Sequence, residues 1–171
     1  MKKYEFTGET KEIRLLFRTA TLHRIRATVA FGIVEVGDLG GWIEKEENLS
    51  HEGKAWVCGD AEVCGDAKVC GDAEVWGNAK VCGDAEVFSA SHVLVIGAIG
   101  SRNDFTTFYR DKDNEITVKC GCFLGKIDRF LEKVTQTHGD SKYALVYRAA
   151  VEVAKLQIDL SGEAPKDADE E

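Results

Sequence analysis

Residues Ala55–Phe88 read AWVCGD AEVCGD AKVCGD AEVWGN AKVCGD AEVF, a six-residue unit repeated without a break. An internal repeat governs whatever is built around it. Val57, Val63, Val69, Val75, Val81 and Val87 occupy one register, which Val93 extends. Ala55, Ala61, Ala67, Ala73, Ala79 and Ala85 occupy a second. Gly59, Gly65, Gly71, Gly77 and Gly83 occupy a third, each followed by Asp or Asn. Six is not a helical period. β-Branched valine suits a short strand, and Gly-Asp or Gly-Asn suits a corner. A short strand, a sharp corner and a small inward alanine describe one side of a coil.

The pattern resembles the hexapeptide-repeat proteins, whose fold is a left-handed parallel β-helix. That resemblance implies a mainly β chain in which three hexads close one triangular coil of 18 residues. It also implies homotrimers packed side by side around a threefold axis. With such a coil, Glu62 lies beside Lys80 and Lys68 beside Glu86, at the ~4.8 Å spacing of neighbouring strands. Both are opposite-charge pairs of the kind adjacent strands favour. Asp66 falls over Asp84, either as two solvated turn carboxylates or as ligands for a cation. The residue after each inward valine points outward. Three columns result: Cys58, Trp76 and Leu94; Cys64 and Cys82; Glu52, Cys70 and Phe88. Outward apolar columns call for a cover. Cys58, Trp76 and Leu94 are the expected interface of a homotrimer; the alternative cover is the chain's own flanks.

The 171 residues carry 22 Lys+Arg against 30 Asp+Glu, a net charge of −8. This length fits one domain with small attachments. Residues 1–30 are net positive and residues 43–90 strongly negative. An acidic middle repels a phosphate backbone, so broad nucleic-acid binding is not expected. No apolar run approaches the ~20 residues of a membrane span. The polar start Met1-Lys2-Lys3-Tyr4-Glu5 reads as no signal peptide, and a cytoplasmic location is expected. On that basis the six cysteines are expected to be reduced thiols.

Four segments follow. Residues 1–42 form a β-rich cap with short strands at Tyr4–Thr7, Ile13–Phe17 and Leu22–Ala27, ending in Gly37-Asp38-Leu39-Gly40-Gly41-Trp42. Here the glycines allow tight turning and Trp42 is buried. His23, Arg24 and Arg26 form either an anion site or a polar strand edge. Residues 43–96 are the hexad coils. Residues 97–160 form an α+β module: a glycine-rich loop at 97–104, a β-hairpin over 105–120, a helix over 127–137 and a second over 141–160 capped by Asp140 or Ser141. Residues 161–171 read as an acidic, solvated tail. The flanking residues are similar to those of phage and prophage proteins of unassigned function: Gly37–Glu44, Gly100-Ser101-Arg102-Asn103, Thr107-Phe108-Tyr109-Arg110 and Cys120-Gly121-Cys122-Phe123. This resemblance implies a viral or prophage origin and no established chemistry.

Many hexapeptide-repeat proteins are acyltransferases, with a histidine base in a cleft between subunits. Here the hexads run without an inserted loop, and His92, at the outer edge of the last coil, is the one plausible base. His51 replaces the inward valine of its hexad. The two lie 41 residues apart and do not stack, so a three-histidine zinc site is not built. Cys120-Gly121-Cys122 lacks the two-residue spacer of a zinc or redox pair. No phosphate loop or nucleophile elbow is present. The expectation is a non-catalytic protein with no cofactor and no metal. Ser101, Arg102, Asn103, Thr107, Tyr109 and Arg110 are the expected ligand-binding residues. Glycine-rich turns expose N–H groups, arginines fork onto phosphates, and a tyrosine stacks on a base. The expected partner is a small phosphate-bearing, nucleotide-like ligand, sequestered from host anti-phage signalling. A scaffold holding a host protein is the alternative, and an acyltransferase a lesser one.

Overall fold

The structure, a computed structural model, describes residues 1–162. The chain is mainly β, with two helices near its C-terminal end. The expected acidic tail lies outside the described residues from residue 163 onward.

The cap begins with two antiparallel strands, β1 (Tyr4–Arg14) and β2 (Thr19–Ala27). The two short strands expected at Tyr4–Thr7 and Ile13–Phe17 are therefore one long strand. The polar Gly8-Glu9-Thr10 stretch between them is a register shift in the ladder and not a turn. Strand β3 (Leu39–Ile43) joins β2 antiparallel and then pairs in parallel with the first coils. Gly40 and Gly41 serve close approach here. A Cβ on Gly40 would lie 2.6 Å from Ile25, and one on Gly41 would lie 2.6 Å from the Ala61 carbonyl. Trp42 stays half-buried on the outside, and Trp56 is the buried tryptophan.

The hexads form six two-residue strands: β4 (Trp56–Val57), β5 (Glu62–Val63), β6 (Lys68–Val69), β7 (Glu74–Val75), β8 (Lys80–Val81) and β9 (Glu86–Val87). Each of the first three pairs in parallel with the strand 18 residues on. Val57 faces Val75, Val63 faces Val81 and Val69 faces Val87. The expected neighbours Glu62/Lys80 and Lys68/Glu86 are register partners. Every inward valine and alanine of the hexads is buried in one continuous core. The stack of Val69 continues downward to Leu49 and not to His51. His51 therefore does not take the inward slot; it stacks on the Tyr4 ring at 4.2 Å. Val93 also leaves the repeat, after a 3-10 turn at Ala90–His92.

From Val93 the chain builds a four-stranded antiparallel sheet: β10 (Val93–Ile99), β11 (Asp104–Arg110), β12 (Ile116–Cys120) and β13 (Phe123–Lys126). The expected hairpin over 105–120 is β11–β12. Half of the stretch expected as a glycine-rich loop is instead strand, and the turn Gly100–Asn103 remains. Alternation gives this sheet two working faces. Val93, Val95 and Tyr109 pack on the coil core; Leu94, Ile96, Phe108 and Val118 pack on the helices. The helices, α1 (Ile127–His138) and α2 (Lys142–Gln157, preceded by Ser141), bury Phe130, Val134, Tyr147 and Val151 against that face.

One cysteine expectation is corrected. Cys64 and Cys82 form a disulfide. They are 18 residues apart, so they occupy one outward column on adjacent strands, and their Cα atoms stand 4.7 Å apart. Cys58, Cys70, Cys120 and Cys122 are not disulfide-bonded.

The N-terminal end of the stack is closed by buried polar groups. Asn48 Nδ2 donates to the carbonyls of Gly65 (3.0 Å) and Ala67 (2.9 Å), and its Oδ1 accepts the Lys45 N–H. Asn48→Ala leaves those carbonyls buried without a donor and is expected to cost about 3 kcal/mol in urea unfolding. Lys3 Nζ donates to the Ala55 carbonyl at 2.7 Å. Burial pushes this ammonium down to about 8, against a pull upward from Glu52. Between about 8 and 10.5 the unfolded chain binds more protons than the folded one, so this group makes stability rise with pH. Lys3→Met removes that part of the slope, to be read by comparing pH-dependent unfolding of the two proteins.

Candidate functional site

Three outward columns run along the hexad strands, and the chain covers two of them itself, one wholly and one in part. The Cys64–Cys82 column lies under the β1–β2 hairpin, packed with Leu22, Ile13, Leu15 and Trp42. The Cys70–Phe88 column is extended by Ser50 and not by the expected Glu52, because Leu49 takes the inward slot. It is half-covered, with the Arg110 guanidinium 4.7 Å over the Phe88 ring. The third column is bare at its centre: Trp76 is 51% exposed, with Cys58 half-buried beside it. Burial, and secondarily Glu74, pushes the Cys58 thiol up to about 11, so it is an unreactive neutral thiol. Leu94 does not stack outward over Trp76. Its side chain belongs to the helix-side core, because β10 turns that residue away from the coil.

A cleft lies on each side of Trp76. One, of about 220 Å³, is lined by Ile33, Val34, Leu39, Trp56 and Cys58 along with Glu74. The other, of about 410 Å³, runs from Trp76 and Asn78 to Val93, Gly97 and Phe105. Ile33, Val36 and Leu39 add exposed apolar side chains beside the first cleft. The second cleft ends on the β10–β11 hairpin, whose tip carries Ser101, Arg102 and Asn103.

The six residues expected to bind a ligand are divided by this geometry. Ser101, Arg102 and Asn103 are exposed on the tip, with Asn103 at a left-handed φ of 47°. Thr107 and Tyr109 face the coil and close it. The Lys80 N–H donates to Thr107 Oγ1 at 3.0 Å, and Tyr109 Oη donates to the Cys82 carbonyl at 2.7 Å. Burial raises the Tyr109 hydroxyl well above its ordinary range, so it remains a donor. Arg110 is buried, with Nε donating to Asn114 Oδ1 at 2.6 Å and the Glu86 carboxylate 3.9 Å away. These three thus hold the sheet on the coil, and only the tip faces solvent. β11 had carried a readable signal: Thr107 and Tyr109 are two apart and share a face, opposite Phe108.

Arg102 has no ion pair among the described residues. Its Nη1 stands 3.8 Å from the position a Cβ on Gly121 would occupy. Gly100, at φ 78°, must be glycine on two counts, since a Cβ there would also overlap the Tyr147 hydroxyl. Burial pushes that hydroxyl up to about 12.

The remaining candidates have partners. His92 is 2% exposed, its Nδ1 accepts the Phe88 N–H at 3.3 Å, and burial together with Arg110 holds it below the usual histidine range. Arg26 is bound by Glu5 at 2.5 Å, Arg24 lies 4.0 Å from Glu9, and His23 stacks on Phe6. Asp66 and Asp84 are ion-paired separately, to Lys45 at 3.0 Å and Lys112 at 3.1 Å. No cluster of three His, Cys, Asp or Glu side chains suited to a metal occurs among the described residues. No described helix is long and apolar enough to cross a membrane.

No protein-family model matches the chain, and comparison with curated proteins gives no match.

Replacing Tyr109 with Phe removes two buried hydrogen bonds, stranding the Cys82 carbonyl and N–H. The expected loss is about 1–2 kcal/mol in chemical denaturation, with the oligomeric state unchanged.

Proposed function

We propose that this chain is a left-handed parallel β-helix working as a homotrimer. It is a non-catalytic binding protein that sequesters a small phosphate-bearing ligand near the tip of the β10–β11 hairpin. The observation that carries the assembly is the Trp76 column. Of three outward columns it alone is left open at its centre by the chain's own flanks, and it sits between two clefts. A second and third copy give these apolar groups the cover that the hairpin and Arg110 give the others. The 18-residue pairing of Val57/Val75, Val63/Val81 and Val69/Val87 supports the three-sided coil on which such trimers rest.

The ligand reading rests on Arg102, an unpaired guanidinium in a chain of net charge −8. Its hairpin also lines the Trp76 cleft, so the tip lies next to the proposed subunit junction. A phage or prophage product of this kind would withdraw a nucleotide signal from host defence without cleaving it. Acyl transfer would have to start from His92, whose ring is buried and whose Nδ1 is already engaged. A scaffold for a host protein is the second reading, favoured by the exposed Leu145, Val153 and Leu156 on the outside of α2.

Native mass spectrometry of protein purified from cells tests the assembly and the cargo together. The expected species is a trimer carrying a nucleotide-sized mass, and Trp76→Glu is expected to run as a folded single chain. A wild-type monomer would remove the interface.

A further inference from the structure

We propose that Lys80 and Lys119 join Arg102 around Gly121 to form a binding site for the phosphate group of a small ligand. This rests on the sequestration reading and supplies the cations that it leaves unnamed.

Lys119 is the unusual member. It lies on β12 and is only 8% exposed. The β11–β12 register sets it directly opposite Thr107, so the two side chains share the coil-facing side of the sheet. Thr107 Oγ1 in turn accepts the backbone N–H of Lys80. Thr107 thus stands between the Lys119 side chain and the Lys80 backbone, and the Lys80 charge is close enough to act on Lys119. Beyond Thr107, Lys119 Nζ donates to the Gly121 carbonyl. Arg102 Nη1 stands 3.8 Å from where a Gly121 Cβ would lie. A lysine from β12 and an arginine from the hairpin tip thus converge on one glycine turn, with the charge of Lys80 nearby.

None of the three has a carboxylate ion pair among the described residues. Glu62, the register partner of Lys80, is bound by Lys11 at 2.8 Å. Glu62 and the thiols of Cys120 and Cys122 also face Lys119 and pull it upward. Burial, the larger effect, holds Lys119 below the ordinary lysine range, and the neighbouring Lys80 charge adds to this. A buried ammonium with no carboxylate in ion-pair contact is costly, and a bound anion offsets that cost. The donor set selects the anion: a planar guanidinium fork with two ammonium point charges suits a multiply charged phosphate. Gly121, at φ 55°, keeps the turn free of a side chain where the anion must sit.

Isothermal titration of the intact chain with inorganic pyrophosphate is the test, run beside native mass spectrometry of the same preparation. The wild type is expected to bind. Lys119→Met and Arg102→Ala are each expected to weaken binding by about tenfold or more. Lys80→Met changes an exposed side chain, so it keeps the test valid if Lys119→Met fails to fold; it is expected to weaken binding similarly. Lys142→Ala, on α2, is expected to leave binding unchanged. Absence of pyrophosphate binding by the wild type, or equal binding by folded Lys80→Met and Arg102→Ala, overturns the site. A trimer that still carries a nucleotide-sized mass would then leave sequestration standing at another place. Pyrophosphate binding that the variants lose, with no cellular ligand on the trimer, keeps the site and removes sequestration.

Discussion

Everything in this molecule depends on backbone pairing that recurs every eighteen residues. The Trp56 N–H donates to the Ala73 carbonyl, Glu62 to Ala79 and Lys68 to Ala85, at 2.8–3.0 Å. Each strand is two residues long and would be unstable alone. Stability comes from neighbours, as in any stacked repeat. Through six hexads the interior is filled by valine and alanine, while Ile43 and Leu49 take the corresponding places beside Val63 and Val69 at its N-terminal end. It also sends the next residue outward at every turn, creating three columns that must be covered or solvated.

A stack has two ends, and each would expose backbone groups to water or to another chain. The two ends are closed differently. At the N-terminal end the closing groups are donors: Lys3 Nζ, Tyr4 Oη and Asn48 Nδ2 reach carbonyls of residues 49, 55, 65 and 67. At the other end, hydroxyls on β11 do the work, with Thr107 taking an N–H and Tyr109 giving to a carbonyl. The antiparallel sheet can meet a parallel stack because its two faces have different tasks. One face is fitted to the last coil; the other is a conventional apolar seat for two helices.

The hexads made the eighteen-residue pairing legible, because a strict repeat fixes register without any knowledge of the flanks. Glu62/Lys80 and Lys68/Glu86 could be paired on spacing alone. The same spacing already placed Cys64 next to Cys82, but an argument from cellular compartment outweighed it, and the geometry was the better guide. The length of β1 was not legible, since an edge strand pairs through its backbone and Gly8-Glu9-Thr10 has the composition of a turn. At the candidate site Thr107, Tyr109 and Arg110 were misplaced for a related reason. Polar and aromatic residues in a β-strand serve equally to bind a ligand or to close a coil, and composition does not distinguish the two. Lys119 gave no signal at all, standing alone in an otherwise ordinary strand; only the register with Thr107 gives it company.

Coverage and charge then work on the same region from two directions. The chain uses its N-terminal hairpin and Arg110 to cover two columns and leaves Trp76 at the surface. It pairs most of its cations with its abundant carboxylates: Arg18 with Glu44, Arg26 with Glu5, Lys45 with Asp66 and Lys126 with the acids of the Asp111–Glu115 turn. Among the described residues Arg102, Lys80 and Lys119 have no carboxylate ion pair, in a protein with eight more acids than bases. The open apolar column and the unpaired cations share the β10–β11 hairpin, which walls the Trp76 cleft at Gly97 and Phe105 and carries Arg102 at its tip. One structural element would therefore link the proposed assembly to the proposed anion site. Burying the Trp76 face against another copy would fix the hairpin, and with it the position of Arg102 relative to the two lysines.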